Sequence, residues 1–232
     1  MLSNDDLVQR VDTSHEWIIE RTGIERRHIA GEREASAHMA IEAARAALQV
    51  ADADPRTVDL IVVATTTPDY AMPSTACLVQ DALGTTRAGA YDLNAGCSGF
   101  VYALAVAHQA IASGEHALAL VIGVDTLSRV VDWQDRSTCV LFGDGAGAVL
   151  LRASEGSAGV LATLLGSDGA GADLLIIPAG GSRMPASHET VEARQHYLQM
   201  NGREVFRFAT RVAPRAIEQV LAKARLPLAE VD

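Results

Sequence analysis

A chain of 232 residues with 49% hydrophobic content can bury a sizeable core, as one large domain or two small ones. Its net charge of -10, with Lys223 the only lysine, argues against generic nucleic-acid binding, which needs clustered positive charge. Three cysteines without CxxC spacing argue against a disulfide framework or structural zinc site and fit a reducing cytosol; the start is acidic where an export signal is basic, and no apolar run is long enough for a bilayer.

In chain order, residues 2–10 read as a short helix, and Thr13-Ser14-His15-Glu16 as the N-cap of a second helix over residues 16–22, ended by Gly23. Trp17 and Arg21, four apart, share one face of it. Either the tryptophan packs inward beside a solvated arginine, or an aromatic plane next to a guanidinium receives a nucleotide base and phosphates. Residues 36–50 form an alanine-rich helix, and residues 60–64 a continuous β-branched run of the kind buried on both faces of a parallel sheet. A loop over 65–73 leads to a helix over 74–83, a strand over 88–92, a long helix over 98–113 and a strand over 117–124. Strand and helix alternate with short connections, which predicts an α/β layered fold with a mostly parallel sheet. Cys77, inside an apolar helix, and Cys139, in an apolar run, read as core.

Residues 132–142 hold Trp133, Asp135 and Arg136 and run into Gly143-Asp144-Gly145-Ala146-Gly147-Ala148. That glycine run precedes a strand, 148–152, and lacks GxGxxG spacing, so it reads as close backbone packing near a site and not as a dinucleotide loop. Strands are expected at 159–166, 174–177 and 197–200, with a glycine- and serine-rich loop over 179–192. A last helix, 203–224, carries Arg203, Arg207, Arg211 and Arg215 every four residues and should kink at Pro214. The stripe is a solvated face or a docking surface for an acidic partner. The pattern helix, polar loop, Val-Asp occurs at Val58-Asp59 and again at Val231-Asp232, which suggests an internal duplication.

The stretch Asp92-Leu93-Asn94-Ala95-Gly96-Cys97-Ser98-Gly99-Phe100 puts a thiol where a helix begins, at the carboxyl end of a strand. Cys97 is either a buried small hydrophobe or a nucleophile whose thiolate the helix dipole favours. A cysteine nucleophile usually needs a base, yet His108 is eleven positions along the same helix, roughly 16 Å away at 1.5 Å per residue. The other six histidines sit in polar, surface-like contexts or farther still, and no HExxH or GxSxG motif appears.

Seven motifs in order, Val11 to Ile18, Arg21-Thr22-Gly23-Ile24, Leu60 to Thr66, Asn94 to Phe100, Asp135-Arg136-Ser137-Thr138, Phe142 to Ala148 and Gly202 to Phe206, closely resemble β-ketoacyl-[acyl-carrier-protein] synthase III of the thiolase superfamily. The resemblance covers essentially all 232 residues. It implies a five-layer αβαβα fold of two duplicated halves: residues 1–153, lacking a first strand and carrying the nucleophile, and 154–232, the incomplete second half. It also implies a cytoplasmic homodimer that uses acyl-CoA and malonyl-acyl-carrier protein as substrates, with no bound cofactor or metal. Cys97 would be acylated, with its own N–H as one oxyanion donor. Trp17 and Arg136 match a pair sandwiching the CoA adenine, and Arg21 and Thr13 lie in the matching CoA-binding segment. Leu141, Phe142, Leu174 and Phe206 match the acyl channel or its surroundings, and Met72 a residue reaching into a partner's acyl pocket. Arg207 and Arg211 match the carrier-protein docking surface.

The family's first strand would precede Leu2, and its catalytic His and Asn would follow Asp232. The expectation is therefore a fragment that, taken alone, lacks decarboxylative condensation. The alternatives are a related acyl-CoA-dependent condensing enzyme or acyltransferase of secondary metabolism, or a non-catalytic remnant.

Overall fold

The computed structural model describes residues 1–156 and 158–231; Asp232, last residue of the repeated Val-Asp pattern, lies outside the described residues. The chain forms two compact units, one from Met1–Arg27, Leu127–Gly143 and Leu161–Asp232, the other from His28–Thr126 and Asp144–Val160. The first opens with β1 (Leu2–Ser3), α1 (Asn4–Val8), α2 (His15–Thr22) and β2 (Arg26–Arg27). The second holds α3 (Ser36–Val50), β3 (Leu60–Ala64), α4 (Thr75–Leu83), β4 (Gly89–Leu93), α5 (Gly99–Ala112) and β5 (Leu118–Thr126). After α6 (Arg136–Cys139) of the first unit, β6 (Asp144–Arg152) completes the second. The first unit ends with β7 (Leu175–Ile176), α7 (His188–Glu192), β8 (Gln199–Met200) and α8 (Gly202–Ala224).

The second unit is a sheet in the order β4-β3-β5-β6, with β3 parallel to both β4 and β5 and β6 antiparallel to β5. Its strands alternate between two cores. Ile61, Val63, Leu120, Ile122 and Val124 face Ala40, Ala44 and Leu48 of α3 and Ala76 and Val79 of α4. Leu60, Val62, Ala64, Ala119 and Val121 face Ala103 and Ala107 of α5. Burial on both faces explains the unbroken apolar sequence of β3, each large side chain contributing about 1.5–3 kcal/mol. The connections are those of an α/β layered fold with a mostly parallel sheet.

Several expectations need correction. Residues 2–10 are not one helix: Leu2 and Ser3 pair antiparallel with Arg27 and Arg26, and Ser3 caps a helix of only five residues. Residues 159–166 form no strand, because a strand exists only through hydrogen bonds to a neighbour and none pairs with this stretch among the described residues. The loop over 179–192 ends in α7, nucleated by a capping box between Ser187 and Thr190. Cys77 is exposed, since α4 turns Thr75, Ala76 and Val79 inward and Cys77 falls off that face. Cys139 is core as expected, and burial pushes its thiol pKa up.

The glycine run is also different. β6 already begins at Asp144, so Gly145 and Gly147 lie within a strand, and a Cβ at either would meet nothing within 4 Å. They relieve no close backbone packing in this chain. Helix α8 runs through Pro214 and has no buried residue. No helix among the described residues is long and apolar enough to cross a membrane.

Candidate active site

Strand β4 ends at Leu93, and the chain turns through Asn94 and Ala95 into a single 3-10 turn, Gly96–Ser98, which carries Cys97 and passes into α5. Gly96 takes φ +57, a conformation that glycine adopts without Cβ strain. Cys97 is exposed. The start of α5 differs from its neighbours: Ala37 N–H of α3 donates to Asp69 (2.9 Å), and Thr75 and Ala76 N–H of α4 donate to Asp92 (2.7 and 2.8 Å). Ser98, the cap residue of α5, makes no side-chain bond to its helix. Two helices in this unit thus have their positive ends met by carboxylates, and the one that begins beside the cysteine has no such cap from Ser98.

The turn is seated by two close approaches. A Cβ on Gly99 would lie 3.2 Å from Ala64 Cβ on β3, and one on Gly123 of β5 would lie 3.2 Å from a ring carbon of Phe100. Next to this seat, Asp125 Oδ1 accepts from Thr66 N–H (2.8 Å), Thr66 Oγ1 (2.7 Å) and Thr67 Oγ1 (3.1 Å). Thr65 N–H donates to Leu93 O (3.2 Å), tying this threonine loop to the strand that leads to Cys97.

A second constellation lies in the first unit. The Arg136 guanidinium sits 5.0 Å from the centre of the Trp17 ring and that of Arg21 5.7 Å from it, both within cation-π range. Arg136 also donates to Asp12 O (2.7 Å). The two sequence-distant members of the pair are therefore brought together, Trp17 half-buried and both arginines exposed. A base inserted between ring and guanidinium would need about 7 Å, two van der Waals contacts, so Arg136 must swing outward to admit one. Thr13 Oγ1 is buried without a hydrogen-bond partner.

The remaining expected positions are less gathered. Met72 is 85% and Phe206 70% exposed, so neither lines an enclosed channel in this chain; Leu141, Phe142 and Leu174 are half-buried. Arg207 pairs with Glu204 (3.1 Å) on α8, and Arg211 lies 3.9 Å from Asp168.

Sequence reasoning missed Asp92, Asp125, and the pair Asp132 and Arg194. Asp92 and Asp125 are the next-to-last residues of β4 and β5, and three consecutive threonines after β3 were the available signal for a shared acceptor. Asp132 meets Arg194, which holds its carboxyl below the usual carboxylate range. No local pattern joins residues 62 positions apart.

A family model for 3-oxoacyl-[acyl-carrier-protein (ACP)] synthase III matches residues 91–169, the segment that contains Cys97 and Arg136. The whole chain is 53% identical over 232 residues to a β-ketoacyl-[acyl-carrier-protein] synthase III of Symbiobacterium thermophilum, and spans 70% of that protein. The crystal structure of a 3-oxoacyl-[acyl-carrier-protein] synthase III from Aquifex aeolicus superposes with a TM-score of 0.88 at 46% identity, over 99% of this chain and 70% of that one. The priming β-ketosynthase of the R1128 polyketide pathway is similar too, with a TM-score of 0.89 at 34% identity over 99% of this chain and 68% of that one.

Proposed function

The chain belongs to the β-ketoacyl-[acyl-carrier-protein] synthase III family, and from that premise we propose that Cys97 accepts an acyl group from a short acyl-CoA to start fatty-acid synthesis. The observation that carries this reading is an exposed thiol at the carboxyl end of a parallel strand, in the turn that opens a helix whose cap residue makes no side-chain bond to it. The Cys97 thiolate attacks the thioester carbonyl, the carbon–sulfur bond to CoA breaks, and the CoA thiolate leaves and takes up a proton. The Cys97 N–H stabilises the oxyanion between these steps.

Trp17 and Arg136 stack on the adenine, with Arg21 close by and Thr13 in the same nucleotide-binding segment of the chain. Leu141, Phe142 and Leu174 stand at the family's acyl-channel positions, with Phe206, exposed in this chain, at another, and Met72 of one copy reaches the pocket of another in a homodimer. Arg207 and Arg211 on α8 meet the acidic carrier protein. In the second half-reaction malonyl-acyl-carrier protein loses CO2, and its carbanion attacks acyl-Cys97 to release a β-ketoacyl product. That step uses the family's catalytic His and Asn, which are not the His15 and Asn94 of the matched motifs, so it is proposed for a polypeptide that carries them, acting in the cytoplasm.

The similarity to the R1128 priming enzyme favours a second reading, an acyl-CoA-dependent condensing enzyme of secondary metabolism. Both readings share the first step. Incubation with acetyl-CoA and a series of longer acyl-CoAs, followed by peptide mass spectrometry, should place one acyl group on Cys97 and none on Cys97→Ser protein. Preference for acetyl supports the housekeeping role and preference for longer or branched chains the second reading. No adduct with any of them would leave a non-catalytic remnant.

A further inference from the structure

Arg194 adopts φ +56, a left-handed conformation that costs a non-glycine residue energy. In it the guanidinium meets Asp132 with two nitrogens, Nε at 2.9 Å from Oδ2 and Nη2 on Oδ1, and covers the Tyr197 ring with its carbon 4.9 Å from the ring centre. The stretch that bears Arg194 is fastened at both ends. Gln195 N–H donates to Thr190 O (3.0 Å) and Leu198 N–H to Val130 O (2.8 Å).

From Asp132 a chain of short contacts leads to Arg136. Asp132 Oδ1 accepts from Gln134 N–H (2.8 Å), and Asp132 O accepts from Asp135 N–H (3.0 Å). Asp135 then caps α6, accepting from Ser137 N–H (2.9 Å) and Ser137 Oγ (2.7 Å). Arg136 is the first residue of α6, and its guanidinium is the one stacked on Trp17. Trp133, inside the same turn, donates through Nε1 to Ser128 O (3.2 Å) and lies under Arg10.

We infer that the Arg194–Asp132 pair is a positioning device for nucleotide binding, fixing the Asp132-to-Asp135 turn and thereby setting Arg136 against Trp17. This rests on the nucleotide reading of Trp17 and Arg136. A lone exposed ion pair would contribute little, but here a two-pronged guanidinium–carboxylate contact has a fixed geometry, and the carboxylate is largely enclosed, with 16% of its side chain exposed. Arg194 is a positioning residue that acts through Asp132.

The test is calorimetric titration of free coenzyme A into the wild-type chain, Arg194→Gln, Arg136→Ala and the double variant. Arg194→Gln should weaken binding about tenfold, and in the Arg136→Ala background the same change should matter less than about twofold, because both act through one side chain. If Arg194→Gln does not fold, Arg194→Lys carries the test, with a few-fold loss expected from a point charge that cannot make both bonds. Unchanged affinity alongside a lower melting temperature, or an equal loss in both backgrounds, would reduce the pair to a structural strut and overturn the inference. A wild-type chain that binds no coenzyme A would overturn the nucleotide reading, and this inference with it. Wild-type binding with an indifferent Arg194 sinks the inference alone.

Discussion

The turn that holds Cys97 and the face that holds Trp17 are built from different physics. The cysteine's turn rests on a sheet packed on both sides, with Gly99 against Ala64 and Phe100 against Gly123. The tryptophan's face is assembled from exposed arginines, ring contacts and hydrogen bonds between distant segments. The first arrangement holds a reacting atom in place by close packing, which tolerates little change. The second can open for a ligand, because guanidinium–ring contacts of this kind are each worth only about 0.5–1 kcal/mol at exposed sites.

This contrast can be broken by mutation. The largest effect is expected from Ile122→Ala in the core beneath the sheet, at about 2–5 kcal/mol in urea unfolding; a loss below about 1 kcal/mol would mean that the core is loosely packed. Asp92→Ala should cost about 1 kcal/mol by the same measurement, since it leaves the first turn of α4 without its acceptor. Arg136→Ala should alter stability by less than about 0.5 kcal/mol while weakening coenzyme A binding about tenfold or more, and added salt should weaken the wild-type binding in parallel.

The smallest effect is on pH dependence. Arg194 depresses the Asp132 pKa in the folded chain, so the pair's stabilisation is present above the unfolded value of about 3.9 and lost as pH falls through the lower folded value. The stability difference between wild type and Asp132→Asn should therefore shrink on acidification below about pH 4. A difference that grows there would contradict the assignment.

The same contrast governs what could be read from the sequence. Helix 36–50 and strand 60–64 were legible to the residue, because their apolar patterns report packing that each residue experiences locally. Residues 159–166 carry a similar apolar pattern yet form no strand, since pairing depends on a neighbour that the stretch itself does not encode. Cys77 misled for a related reason: an apolar segment does not say which side of its helix turns inward. At the site, Cys97 announced itself through the strand–turn–helix around it. The approach of Arg136 to Trp17 was available only through family resemblance, and the approach of Arg194 to Asp132 through neither, because nothing near Arg194 signals its left-handed backbone.

One comparison of acyl donors tests the division of labour most directly. Acetylation of Cys97 is timed by mass spectrometry with acetyl-CoA and with a short acetyl thioester that lacks the nucleotide, in wild-type and Trp17→Ala proteins. If Cys97 does the chemistry and Trp17 holds only the nucleotide, Trp17→Ala should slow transfer from acetyl-CoA about tenfold or more and leave the short thioester within about twofold. Equal slowing with both donors, or no acetyl group on Cys97 from either, would contradict it.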